Sequence, residues 1–168
     1  MVWLETKRLI LRSFEPQDAI AMTPILNNSE VMKFSPTGTL TVAQTREKIT
    51  SFINLERITG CSKWAVIFQE TGELIGYCGV SLEQIDDVDE WEIGYRLTPS
   101  FWGMGLATEA ATAAIQYGFE RLNLSYIMGV VERKNTASVK VLQKLRMKYQ
   151  KEAMFEGLIM DLYRLNNL

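Results

Sequence analysis

Two glycines, Gly103 and Gly105, stand between an alternating apolar stretch and an alanine-rich one. Glycine admits backbone conformations closed to other residues and lets a ligand approach closely. The first N–H groups of a helix that begins there, near Gly105 to Thr108, have no partners inside that helix. With the positive helix end they would make an anion site suited to a diphosphate. The same spacing also serves a plain strand-to-helix turn. Further on, Asn135 is a natural N-cap, and Ser138, Val141, Leu142 and Leu145 fall on one helix face. Ser138 is the polar member of that stripe. It reads either as a tolerated serine or as a hydroxyl placed for use. The chain has no histidine and two cysteines, Cys61 and Cys78. These counts exclude a Ser-His-Asp triad, a Cys-His nucleophile, any imidazole zinc site and an all-thiolate zinc site. No metal is expected. Catalysis has to use carboxylates, hydroxyls, amines, backbone groups or a cofactor.

The elements that must position these residues follow from periodicity. Val2 to Arg12 reads as a strand, with Leu9 and Leu11 alternating with charged neighbours. Glu15 to Asp18 starts a helix carried by Ala19, Met22, Ile25 and Leu26. Thr41 caps a second helix through Ile58, and Gly60 stops it. Lys63 to Gln69 is a strand with Trp64, Val66 and Phe68 on one face. Thr71-Gly72 turns it into a second strand, Glu73 to Ser81. Glu83 to Glu90 reads as an acidic loop. Trp91 to Leu97 alternates cleanly, with Glu92, Gly94 and Arg96 on the face opposite Trp91, Ile93, Tyr95 and Leu97. Leu106 to Leu122 is a helix whose Ala107, Ala110, Ala111, Ala114 and Gly118 allow close packing on a sheet. Ser125 to Val131 is a strand and Thr136 to Leu145 a helix. Arg146 to Lys151 and Leu158 to Leu165 are the last strands. Hairpins mixed with crossover helices imply an α/β sandwich around a mixed sheet.

Composition narrows the partners. The chain has 168 residues, enough for one domain with a sizeable core. Its net charge is −2, and no direct nucleic-acid binding is expected without a basic footprint. Glu5, Lys7 and Arg8 interrupt any apolar leader, and no stretch is long enough to span a bilayer. A reduced cytoplasmic protein without a disulfide is the simple reading. The glycine turn is neither of two familiar phosphate motifs. A dinucleotide fold wants Gly or Ala where Thr108 stands, and a P-loop needs a Gly-Lys-Ser/Thr that is absent.

Five stretches, in order and covering nearly the whole chain, carry a resemblance. They are L-E-T-K-R-L-I-L-R, I-G-Y-C-G-V, W-E-I-G-Y-R-L, S-F-W-G-M-G-L-A-T-E-A and N-T-A-S-V-K-V-L-Q-K-L. The sequence resembles the GNAT superfamily of acyl-CoA-dependent N-acetyltransferases. It is most similar to the RimJ/RimL-like branch, which includes ribosomal-protein N-terminal acetyltransferases. The resemblance implies an α/β (α+β) GNAT fold over residues 1–168, a mixed, mostly antiparallel seven-stranded sheet flanked by about four helices. It implies acetyl-CoA as co-substrate. The backbone of Tyr95, Arg96 and Leu97 would pair with the pantetheine arm. The N–H groups of Trp102, Gly103, Met104, Gly105, Leu106, Ala107 and Thr108 would hold the pyrophosphate. Asn135 and Ser138 would face the lower pantetheine and thioester, and Lys144 either reaches a CoA phosphate or is simply solvated.

The implied chemistry is direct acetyl transfer to an amine. Glu92 is the expected base, acting directly or through water, with a solvated or ion-paired glutamate as the alternative. A backbone N–H near Leu97 would meet the oxyanion. Many members place a thiolate-protonating tyrosine seven residues after the asparagine. That position is Leu142 here, so Ser138 is expected to serve instead. The wider superfamily often has Arg or Gln where Ser100 stands, and a glycine where Arg146 stands. The acceptor would be a peptide N-terminus or a small amine, walled by the two N-terminal helices and a loop from Lys151 to Gly157. Glu83, Asp86, Asp87, Asp89 and Glu90 would favour a cationic acceptor or merely keep their loop solvated. Met22, Met32, Phe34 and Trp64 are either pocket or core. Homodimers occur in this branch, and a catalytically silent CoA-binding module is the reading furthest from an enzyme.

Overall fold

The computed structural model describes residues 1–168. Its strands are β1 (Trp3–Glu5), β2 (Leu9–Arg12), β3 (Lys63–Phe68), β4 (Glu73–Ile85), β5 (Val88–Leu97), β6 (Tyr126–Val131), β7 (Lys148–Phe155) and β8 (Leu158–Asn166). Its helices are α1 (Ala19–Leu26), α2 (Val42–Thr59), α3 (Leu106–Arg121) and α4 (Thr136–Lys144). The strands form one sheet in the order β1-β2-β3-β4-β5-β6-β8-β7. Every pairing is antiparallel except β5 with β6.

The alternation of β3 feeds two cores. Trp64, Val66 and Phe68 face one cluster, where Ala110, Ala111 and Ala114 bring α3 close to the sheet. Ala65 faces the other, with Met22, Leu26, Ile49 and Phe52 of α1 and α2. Helices therefore cover both faces, and Trp64 to Val66 and Phe68 are each buried on one side or the other. Trp64, Met22 and Met32 are core residues. α2 starts with a capping box between Thr41 and Gln44 and ends at Gly60, where φ is +82°. Cys61 and Cys78 are buried free thiols. No helix is long and apolar enough to cross a membrane.

Three expected elements differ. The opening strand is two strands that fold back on each other, with Thr6 N–H bonded to Leu9 O at 2.9 Å. The sheet therefore has eight strands rather than seven. The acidic stretch is not a loop. It is the far half of a long β4–β5 hairpin that turns on Asp86 and Asp87, at φ +50° and +61°. The segment from Lys151 is likewise β7, and only Glu156-Gly157 turn. Ile85 of β4 pairs with Phe155 of β7, so β4, β5, β6, β8 and β7 close into a ring. Ile85, Met128, Ala153 and Leu162 form the small core there.

Candidate active site

The parallel partners β5 and β6 meet only at Glu92 and Met128. Past that point a cavity of about 140 Å³ lies between Gly94, Tyr95 and Arg96 on one side and Val130, Val131, Asn135, Ser138 and Leu142 on the other. The free edge of β5 can be oriented from one hydrogen bond. Thr98 N–H donates to Ile75 O at 2.8 Å, toward β4. Strand alternation then aims the N–H and C=O of Leu97 and Tyr95 into the gap. The Leu97 carbonyl is taken by Trp102 Nε1 at 2.8 Å. The Leu97 N–H and both Tyr95 groups face the cleft, an edge on which an extended amide-bearing ligand can add as a strand.

The glycine turn follows. Gly103 and Gly105 have φ of +75° and +77°. Gly105 is the N-cap of α3 and supplies no side-chain cap, so the N–H groups of Leu106, Ala107 and Thr108 lack intrahelical partners. Trp102 and Met104 are exposed beside them. An unexpected brace holds this turn. Arg8 donates from its backbone N–H to Glu109 Oε1 at 2.8 Å, from Nε to Oε2 at 2.8 Å, and from Nη1 to the Met104 carbonyl at 2.9 Å. Thr6 Oγ1 donates to the same carboxylate at 2.6 Å. Burial opposes charge on Glu109, but the hydrogen bonds from Thr6 and Arg8 outweigh it and hold the carboxyl below its ordinary value.

On α4, the Asn135 side chain accepts from Ser138 N–H at 3.2 Å, the expected cap. Ser138 Oγ lies 2.9 Å from Tyr95 Oη. Burial pushes the Tyr95 phenol upward, so it keeps its proton at neutral pH. A tyrosine hydroxyl thus reaches this end of the cleft from β5, although Leu142 holds the position that the resemblance assigns to one. The helix ends with Arg146 at φ +62°. Its N–H donates to Gln143 O at 2.9 Å, and Met147 N–H donates to Leu142 O at 3.0 Å, a Schellman turn usually built on glycine. Lys144 is exposed.

Glu92 is buried and ion-paired. Lys63 Nζ lies 2.7 Å from Glu92 Oε2 and also donates to the carbonyls of Gly79 and Glu92, at 3.1 and 3.0 Å. Burial pushes the Glu92 carboxyl up to about 7, against the pull of Lys63. Burial works against charge on Lys63 too, but Glu92 and Glu83 overcome it and keep the ammonium protonated above its ordinary range.

The cavity continues past Glu92 to Phe34, Thr37, Phe52, Tyr77, Glu83, Phe155 and Glu156. The Arg96 side chain turns to Tyr77 Oη at 3.0 Å and the Val31 carbonyl at 3.3 Å, which ties β5 to the segment after α1. Of the acidic hairpin, Glu83 lines the cavity. Asp86 does not, and is bound to Lys151 Nζ at 2.6 Å and to Met154 N–H at 2.7 Å. The structure therefore gathers Glu92, Tyr95, Arg96, Asn135 and Ser138 in one cleft and sets Trp102 to Thr108 at the α3 turn. Sequence reasoning missed Lys63, Arg8 and Glu109. The signals were a lysine opening an apolar strand and an arginine and glutamate inside matched motifs.

A parallel pair joined at one residue pair, beside a bare helix N-terminus, offers a strand edge and free N–H groups to an extended anionic ligand. The chain matches the model of the acetyltransferase (GNAT) domain over residues 8–148, and it belongs to that family. It is an acetyl-CoA-dependent N-acetyltransferase. It is 36% identical to an uncharacterized N-acetyltransferase, p20, of Bacillus licheniformis, covering 97% of this chain and 94% of the relative. It is 29% identical to the spermidine N(1)-acetyltransferase of Escherichia coli K12, covering 92% and 80%. Its fold matches a ribosomal-protein-S5-alanine acetyltransferase from Vibrio fischeri with a TM-score of 0.80, at 21% identity over 99% and 97% of the two chains.

Proposed function

We propose that the cleft transfers acetyl from acetyl-CoA to a primary amine by direct attack in a ternary complex. The observation that carries this reading is the placement of Glu92 at the last β5–β6 pair, where the pantetheine edge and the acceptor cavity meet. Tyr95 and Leu97 offer the edge, and the first turn of α3 offers N–H groups to the pyrophosphate. The acceptor ammonium gives a proton to Glu92, directly or through water. Its nitrogen lone pair forms the C–N bond, and the oxyanion faces the Leu97 N–H. Collapse breaks the C–S bond. The CoA thiolate takes a proton from the Ser138 hydroxyl as that hydroxyl takes the remaining extra proton from the acylated nitrogen, so Ser138 ends neutral, backed by Tyr95. No step needs imidazole.

For the acceptor, the first reading is a protein or peptide N-terminus, as the RimJ/RimL-like motifs imply. A second reading, a small amine, is favoured by the confined cavity with Glu83 and Glu156 in its wall, and by the polyamine-acetylating relative. A panel of peptides, polyamines, amino acids and amine antibiotics with acetyl-CoA separates the two. Thiol release above the no-acceptor blank with at least one acceptor is expected, and none across the panel overturns the enzyme reading. CoA at a hundred times its Kd should stabilise the protein by about 2.7 kcal/mol.

A further inference from the structure

Lys63, Gly79 and Gly94 lie side by side on β3, β4 and β5. The two glycines leave this row of the sheet without side chains, and the lysine head lies over Gly94 to reach Glu92. A methyl group on Gly94 would sit 2.8 Å from Lys63 Cε and Nζ and 3.1 Å from Glu92 Oε2. Both charged residues are 6% exposed. All three Nζ donors are used, two on carbonyls that cannot titrate, so the ammonium is fixed in place rather than free to follow a ligand.

We infer that Lys63 is the positioning residue of the proton-transfer step, aiming the Glu92 carboxylate and setting the pH at which it works, through a lane that Gly94 keeps clear. This rests on the reading of Glu92 as the base. A buried carboxylate with no cation would keep its proton far above neutrality. One paired with a cation in water would sit below the ordinary carboxylate value and be a weaker base. The fixed lysine lies between these limits. The other titratable or charged groups around the pair are Cys61, Tyr77, Cys78, Glu83, Tyr95 and Arg96. Of these, Arg96 is the cation, and it is already held by Tyr77 and the Val31 carbonyl.

The test combines carboxyl-carbon NMR of substrate-free protein, labelled at glutamate, with kcat/KM against pH. It uses the wild type, Lys63→Met, Gly94→Ala and Glu92→Gln. The wild type should show one carboxyl titrating near 7 that is absent in Glu92→Gln. In Lys63→Met its midpoint should rise beyond roughly 8, and the rising limb of kcat/KM should move with it. Gly94→Ala should shift both in the same direction by displacing the lysine head, which keeps the test available if Lys63→Met does not fold. A midpoint unchanged in the folded variants overturns the inference. A pH–rate profile unchanged in Glu92→Gln instead overturns Glu92 as base, while the NMR midpoints still report on Lys63.

Discussion

The hydroxyls of Tyr95 on β5 and Ser138 on α4 lie 2.9 Å apart across the mouth of the splay. The two residues come from different elements 43 positions apart, and each covers what the other lacks. Ser138 has the position, fixed by the Asn135 cap, and Tyr95 is a hydroxyl that stays protonated behind it. Ser138→Ala should lower kcat by about 100-fold and Tyr95→Phe by about tenfold. The double variant should lose less than the product, because both act on one proton. Steady-state kinetics at saturating acetyl-CoA read this, and strictly multiplicative losses would separate the two hydroxyls.

Glu92 links activity and stability to pH with opposite signs. As base it must be ionised, so kcat/KM should rise as pH rises through about 7. Burial has raised its value, so the folded state holds this proton longer than the unfolded chain does. That contribution to stability is fully present below the ordinary value of 4.5 and is lost as pH rises through about 7. Glu92→Gln should cost roughly 100-fold in kcat. Denaturant titrations across this window should show the wild type losing stability relative to the variant as pH rises.

The Arg8–Glu109 brace holds the turn proposed to take the pyrophosphate. Arg8→Met or Glu109→Gln should raise KM for acetyl-CoA about tenfold with little change in KM for the acceptor, since the brace touches Met104 and not the amine cavity. Isothermal titration with CoA provides the same comparison at equilibrium. An equal rise in both KM values would point to general loosening of the fold.

Arg146 holds a left-handed conformation that costs a branched backbone about 1 kcal/mol relative to glycine. Arg146→Gly should therefore raise Tm and add about 1 kcal/mol without altering kcat, because the arginine side chain is exposed. Thermal denaturation checks it.

Asp86 is an anchor for β7 rather than an acceptor contact. Asp86→Asn should loosen the hairpin tips and leave the acceptor KM unchanged. By the same geometry, Glu83→Gln should raise KM for a polycationic acceptor. Measuring both against spermidine and a neutral-tailed amine separates attraction from architecture.

What sequence periodicity carried was the identity of faces and ends. The alternation from Trp91 to Leu97, the alanine stripe of α3, the Asn135 cap and the Thr41 helix start are all local, and the structure places them as expected. What it did not carry was who sits opposite whom. Lys63 meets Glu92 only because β4 pairs with both of their strands, and Arg8 meets Glu109 across 101 positions. Glu83 to Glu90 read as a loop because acidic residues are poor strand formers. Cross-strand pairing and a ring of neighbours overrode that preference, and Asp86 and Asp87 took the positive φ that a tight hairpin needs. Leu142 stands where the resemblance places a tyrosine, and the tyrosine hydroxyl beside Ser138 comes from another element instead.

An open sheet normally presents two rows of unsatisfied backbone groups where a second chain can add a strand and seed aggregation. Here β1, at one margin, is only three residues long. At the other margin β7 is bent back onto β4 by the Ile85–Phe155 pair and the Asp86 contacts, and its exposed outer half carries Lys148 and Lys151. The ring thereby also blunts the edge, so the chain guards against fibrous self-association with the same strands that line its cavity.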